Sequence, residues 1–286
     1  MAKAWLYVRI ESPSEPEADL LAEGLLASGA SSVHQETDAL VTYLPDEGDA
    51  ENRIRGLRAA LAAITGRTVT LAWERRADED WAREWRRGLA PRRIGARLVL
   101  TPTWIEVAAG ADDIVIAIDP QMAFGTGEHA TTRGVLELLE PVVAAGARVL
   151  DVGTGSGVLA IAAARLGAAH ALAVESDPDA LLNAAENVAR NCVGDAVELL
   201  EAHVDEAFLA RRPQAFDLIV ANVLSGVLLP LLPGFHAALR PGGVLILSGI
   251  LQAEADSLLD GAGAARFALD REVREEEWWT ARFRRS

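Results

Sequence analysis

The chain has 286 residues, half of them hydrophobic, with a net charge of −15, one cysteine and five scattered histidines. That length and apolar content support a large buried core in one large or two smaller domains. The lone Cys192 excludes an internal disulfide and fits a reducing cytoplasm, no histidine pair stands at metal-ligand spacing, and the acidic balance disfavours nucleic acid while favouring a basic macromolecular partner.

The start, Met1-Ala2-Lys3-Ala4-Trp5, lacks the apolar core of a signal peptide, and no later run is long and apolar enough for a membrane span. Residues 4–10 alternate as a strand. Ser14-Glu15-Pro16-Glu17 is a capping box, and Leu20, Leu21, Leu25 and Leu26 supply the apolar face of the helix it starts. Residues 32–36 and 39–44 read as strands around a Thr37-Asp38 turn. Ile54, Leu57, Leu61 and Ile64 fall on one helical face, and residues 68–73 form a last strand. The order βαββαβ predicts a ferredoxin-like α+β domain over residues 1–76. It holds no glycine loop, metal set or catalytic-looking cluster, so it reads as a recognition domain, with a purely structural subdomain as the alternative. Residues 77–97 read as a linker whose helix places Trp81 and Trp85 on one face as packing anchors.

Strands at 98–104 and 114–118 introduce a second domain, residues 98–286. The loop Asp119-Pro120-Gln121-Met122-Ala123-Phe124-Gly125-Thr126-Gly127-Glu128-His129-Ala130-Thr131-Thr132 is rich in glycine and hydroxyls and reads as a lid over a cofactor. Thr131 or Thr132 is the expected N-cap of the next helix, which buries Val135, Leu138, Leu139, Val142 and Val143.

Val149-Leu150-Asp151-Val152-Gly153-Thr154-Gly155-Ser156-Gly157-Val158 then reads as strand, glycine turn and helix. Glycines there permit positive φ and bring a ligand against bare backbone, and the helix N-terminus suits an anion. A dinucleotide fold wants G-x-G-x-x-G or G-x-G-x-x-A. Here the third glycine comes early and Val158 stands where the last small residue belongs. This spacing resembles motif I of class I S-adenosylmethionine methyltransferases.

A second buried strand ends at Glu175, about 20 residues past the glycines, where a carboxylate can accept both ribose hydroxyls of an adenosine. Asp177-Pro178 starts a helix as N-cap and first residue. Further strands follow at 197–200, at 216–222 ending in Asn222, and at 244–248 after the Leu239-Arg240-Pro241-Gly242-Gly243 turn. A helix from Leu251 and strands near 265–271 and 277–284 complete a doubly wound α/β domain with a seven-stranded, Rossmann-like sheet.

With these residues in hand, the chain resembles the PrmA family of ribosomal protein L11 methyltransferases over almost its whole length. The resemblance rests on Asp80-Trp81-x-x-x-Trp85, the 119–132 loop, motif I, Ala221-Asn222-Val223-Leu224, Ser248-Gly249-Ile250-Leu251 and Glu277-Trp278. It implies S-adenosylmethionine as cofactor, with Thr132, Gly153, Gly155, Glu175 and Asn222 at the cofactor positions. Glu175 stands where the family commonly has Asp, and Val223 where it usually has Ile. The resemblance makes residues 1–76 a substrate-recognition domain, and it further implies N-methylation of lysine side chains, the N-terminal amine or both on ribosomal protein L11. A cytoplasmic protein with no membrane or nucleic-acid partner is expected from the composition, and a monomer is expected. Asn222 is the candidate for positioning the amine or the cofactor. His129 is either a base or a structural hydrogen-bonder in its loop. The alternative substrate is another protein, such as electron transfer flavoprotein β subunit. A release-factor glutamine methyltransferase would carry Asn-Pro-Pro-Tyr where this chain has Asn222-Val223-Leu224-Ser225. A nicotinamide oxidoreductase is opposed by Val158, and a cofactor-free adaptor by the intact loop, glycines and acid.

Overall fold

The computed structural model describes residues 4–11, 21–22, 24–25, 28–30, 33–35, 39–46, 48–77, 90–119, 127 and 129–286. The expected capping box at Ser14, the Thr37-Asp38 turn, the Trp81/Trp85 helix and residues 120–126 of the glycine-rich loop lie outside these. The chain divides into two compact units, Met1–Gly88 and Leu89–Ser286.

The first unit carries β1 (Ala4–Glu11), β2 (Val33–Gln35), β3 (Ala39–Pro45), α1 (Ala50–Thr65) and β4 (Leu71–Ala77). The strands form a sheet in the order β2-β3-β1-β4, with β1 antiparallel to β3 and β4. Leu6, Val8 and Ile10 alternate inward from β1 onto Leu21, Leu25, Ile54, Leu57 and Leu61. Asp49 caps α1 through the Asn52 N–H, and Gly66 ends it at φ 69°. Ile64, expected on the buried face, lies in the last turn of α1 and is 42% exposed. The last strand begins three residues later than residue 68.

The second unit opens with β5 (Arg92–Ile94), β6 (Leu98–Pro102) and β7 (Ile114–Ile118), which form their own three-stranded sheet. Residues 92–94 are therefore strand, where the sequence reading placed linker. α2 (Ala130–Leu139), β8 (Arg148–Val152), α3 (Val158–Arg165), β9 (His170–Glu175), α4 (Pro178–Arg190) and β10 (Val197–Glu201) follow. Then come α5 (Glu206–Ala210), β11 (Phe216–Asn222), α6 (Ser225–Ala238), β12 (Leu239–Leu251), α7 (Ala255–Ala264), β13 (Phe267–Glu275) and β14 (Trp278–Arg285).

The main sheet has seven strands in the order β10-β9-β8-β11-β12-β14-β13. The first five run parallel, and β14 runs antiparallel to β12 and β13. Strand alternation sorts the core into two layers. Val149, Ala171, Ala173, Leu218, Val220 and Ile246 pack with α2, α3 and the small sheet. Leu150, Val152, Leu172, Ile219, Ala221 and Leu247 pack with α5, α6 and α7 on the opposite face. The strand order reverses between β8 and β11, which start from neighbouring positions and diverge to opposite sides. Their C-terminal ends are where an open α/β sheet takes its ligand.

Candidate active site

β8 hands over to the glycine turn at Gly153 (φ 68°), Gly155 (φ 53°) and Gly157 (φ 85°). A Cβ on Gly153 would sit 2.7 Å from Val223 Cγ1, just past the end of β11, so no side chain fits between these two strand ends. The N–H groups of Gly153 and Thr154 both donate to Val174 O, which ties the turn to β9.

Asp151 is an odd-numbered residue of β8 and so points toward α3, where it is fully buried. Its Oδ2 accepts Thr154 Oγ1–H at 2.6 Å and the Ala160 N–H at 3.1 Å. Ala160 is the third residue of α3, and Gly157 at the cap position has no side chain to serve it. Burial pushes the Asp151 carboxyl up to about 7; the bonds from Thr154 and Ala160 oppose that rise, and the nearby Glu175 charge adds to it. Oδ1 is buried without a partner among the described residues.

Glu175 ends β9 beside the same turn. Its Oε2 accepts the Gly155 N–H at 3.0 Å, and Oε1 accepts Ser176 N–H at 2.8 Å and Asp177 N–H at 3.1 Å. The carboxylate thus bridges the glycine turn and the start of α4. There Asp177 caps the Asp179 N–H at 2.9 Å and Pro178 opens the helix, as the sequence indicates.

α2 approaches from the other side. Its N-cap is His129, not Thr131 or Thr132, which lie in the first turn. His129 Nδ1 lies 2.7 Å from Thr131 Oγ1 and accepts the Thr131 N–H at 3.4 Å, so the ring takes the place of the expected hydroxyl cap. The ring also meets Trp278 edge-on at 4.9 Å. Desolvation holds the His129 pKa below its ordinary value, with Arg133 acting the same way and Glu276 and Glu277 opposing. Ser248 Oγ donates to Thr131 O at 3.3 Å and bonds Thr280 Oγ1 at 2.6 Å. Gly134 lets α2 press on Thr280, where a Cβ would come within 2.6 Å of the hydroxyl. Ser248 pairs with Asn222, and the preceding Ala221 pairs with Val152. Gly153, Asn222 and Ser248 therefore stand at one level across three neighbouring strands, with the first turn of α2 fastened to the last of them. Thr132 Oγ1 and Asn222 Oδ1 are buried there without partners among the described residues.

One set of residues escaped the sequence reading. Asn183 and Asn187 in α4 and Asn191 at its C-cap are buried, one turn apart. Asn187 Oδ1 accepts the Asp119 N–H at 2.9 Å, while Nδ2 donates to Asp119 O at 3.1 Å and Ser156 O at 3.0 Å. Asn183 Nδ2 also donates to Asp119 O, and Asn191 takes both backbone groups of Ala117. This ladder binds the end of β7, where the 119–132 loop begins, to the glycine turn. The signal was present: asparagine at intervals of four on an amphipathic helix, where its weak propensity needs a compensating role.

The family model described as ribosomal protein L11 methyltransferase (PrmA) matches residues 8–286. A ribosomal protein L11 methyltransferase of Pelotomaculum thermopropionicum is 42% identical over 237 residues, covering 82% of this chain and 76% of its own length. One from Geobacter sulfurreducens is 40% identical over 303 residues, covering 97% of both chains. The crystal structure of a ribosomal protein L11 methylase from Lactobacillus delbrueckii subsp. bulgaricus superposes with a TM-score of 0.59 at 32% identity, covering 68% of this chain and 97% of that one. The glycine turn, the acid ending β9 and the seven-stranded order thus agree with a match over nearly the full length, and the chain belongs to the PrmA family of methyltransferases.

Proposed function

We propose that this chain transfers methyl groups from S-adenosylmethionine to amines of ribosomal protein L11, lysine side chains and the N-terminal amine included. The observation that carries the reading is a set of three buried oxygens without partners among the described residues: Thr132 Oγ1, Asn222 Oδ1 at the end of β11, and Asp151 Oδ1 in the strand that leads into the glycine turn. Buried polar atoms without protein partners fit a polar ligand with donors to offer. The cofactor fits this set. Gly153 and Gly155 leave backbone open to it, and the α3 N-terminus suits its carboxylate.

Glu175 is assigned to the ribose hydroxyls. A carboxylate offers about four acceptor positions, and three are taken by backbone N–H groups. Paired ribose bonds therefore require the Gly155 N–H to release Oε2. When bound, the cofactor supplies a methyl already activated on a sulfonium, so the protein mainly orients the reactants and excludes water. The attacking nitrogen must be neutral, and free lysine has a pKa of about 10.4. Asn222 Oδ1 can accept an amine N–H and hold its lone pair toward the methyl. His129 Nδ1 is engaged in capping α2, so His129 is assigned to structure and not to proton transfer.

The first unit is assigned as a ferredoxin-like recognition domain, a reading that its strand order β2-β3-β1-β4 supports. A cytoplasmic monomer without nucleic-acid or membrane partners is consistent with the net charge of −15 and with described helices too short or polar to cross a membrane. Incubation of the full chain and labelled cofactor with ribosomal protein L11 or electron transfer flavoprotein β subunit tests the assignment. Label on the ribosomal protein alone is expected; label on the flavoprotein subunit alone would reverse the substrate.

A further inference from the structure

Six large hydrophobic side chains are well exposed among the described residues, and three of them belong to two segments that meet beside the site. Leu224 is 70% exposed, Val227 43% and Leu251 41%. Leu224 and Val227 share the first turn of α6, where the Val227 N–H donates to Leu224 O at 2.9 Å. β12 runs directly beside that turn: a Cβ on Gly249 would lie 2.6 Å from Val223 O. Leu251 follows two residues later and pairs with Trp278 of β14.

An anionic rim adjoins these apolar residues. The Gln252 N–H donates to Glu277 O at 2.8 Å, and Gln252 Nε2 donates to Glu276 O at 2.6 Å, fastening the β13–β14 turn beside Leu251. Glu254 caps the Leu251 N–H at 3.1 Å. Arg133 pairs with Glu275 at 2.6 Å and with Glu276 at 3.8 Å, beside the further carboxylates of Glu254 and Glu277. The Glu276 side chain stays 64% exposed. The patch borders the site twice, through Val223 next to Asn222 and through Trp278 against His129.

We propose that Leu224, Val227 and Leu251 with Glu276 and Glu277 form the docking face for the methyl-accepting segment, a lysine-bearing basic stretch of the protein substrate. The proposal rests on the reading that the acceptor is an amine of ribosomal protein L11. A lysine has an apolar four-carbon stem and a cationic head, and this face offers apolar surface and carboxylates side by side. The stem packs on Leu224 and Leu251, while flanking cations face Glu276 and Glu277. Such rim charges act on encounter rate and partner choice, and their contribution fades with salt.

The test uses the full chain with ribosomal protein L11 and S-adenosylmethionine. In the double variants Glu276→Gln with Glu277→Gln and Leu224→Ser with Leu251→Ser, KM for the protein substrate should rise on the order of five- to tenfold. KM for the cofactor and kcat should stay at the wild-type values, and the charge variant should lose most of its salt dependence. A photo-crosslinking residue at Val227 should capture the ribosomal protein. Unchanged protein KM in both variants, or crosslinking only to residues 1–88 or to a second copy of the chain, overturns the docking face. If the wild-type chain leaves ribosomal protein L11 unmethylated, the underlying substrate reading falls and this proposal falls with it. An active wild type with indifferent variants removes the docking face alone.

Discussion

Asp151 Oδ2 accepts the backbone N–H of Ala160 at 3.1 Å across nine positions of the chain, so the strand before the glycine turn caps the helix after it. Gly157 holds the cap position at φ 85°, a conformation that suits glycine and leaves the cap without a side chain. Asp151 supplies the missing acceptor because its place in the strand alternation aims it at α3.

A stability profile follows from that burial. The folded-state pKa of Asp151 is about 7 against an ordinary 3.8, so between those values the folded protein keeps a proton that the unfolded chain has lost. Stability should fall as pH rises through this window, by about 1.4 kcal/mol per unit from this group, and level off above it. Asp151→Asn removes the titration while keeping one acceptor oxygen. Urea unfolding at pH 5 and pH 8 should show a smaller difference for the variant than for the wild type; equal differences would place the titrating group elsewhere.

Glu175→Ala should weaken S-adenosylmethionine binding by roughly 1–3 kcal/mol, because charge-assisted hydrogen bonds are lost and the glycine turn loses its tie to α4. Glu175→Asp should recover much of that affinity if the ribose is the partner. Calorimetric titration of both variants decides this, and unchanged affinity for the alanine variant would remove the ribose assignment.

The asparagine ladder divides into two functions that substitution can separate. Asn187→Leu removes the partner of the Asp119 N–H and one hydrogen bond to the Ser156 carbonyl, and should cost about 2–5 kcal/mol of stability. It should also weaken cofactor binding, since Ser156 belongs to the glycine turn. Asn191→Leu should cost comparable stability but leave cofactor affinity intact, because its strand contacts reach only Ala117. Equal cofactor loss in both would mean that α4 acts through general destabilisation.

Residues 89–286 form one of the two compact units and contain every residue assigned to the cofactor. A chain starting at Leu89 should fold and bind S-adenosylmethionine with near wild-type affinity, while turnover of intact ribosomal protein L11 drops steeply. Full-speed methylation by this shortened chain would remove the recognition role from the first unit.

Much of this was legible from neighbours in the chain. The short apolar run at Val149-Leu150-Asp151-Val152 marks a strand buried on both faces, and the early third glycine separates this turn from a dinucleotide loop. Asp177-Pro178 marks the start of α4, and the acid at Glu175 lies at the distance that sets it beside Gly155. These features depend on backbone preferences and spacings within about one strand–helix unit. What only the tertiary structure decided depends on partners distant in sequence. His129 displaces Thr131 and Thr132 as the cap of α2 because its ring also packs on Trp278. β5, β6 and β7 form a separate sheet because Leu98, Leu100, Ile116 and Ile118 cover the α2–α3 layer and do not extend the main sheet. Asn183, Asn187 and Asn191 find their role in backbone groups at Ala117, Asp119 and Ser156 that no local pattern selects. Local periodicity fixes which face a residue presents; the identity of what that face meets is set when the packed core brings remote segments together, since a buried polar group must then find a partner wherever the fold has put one.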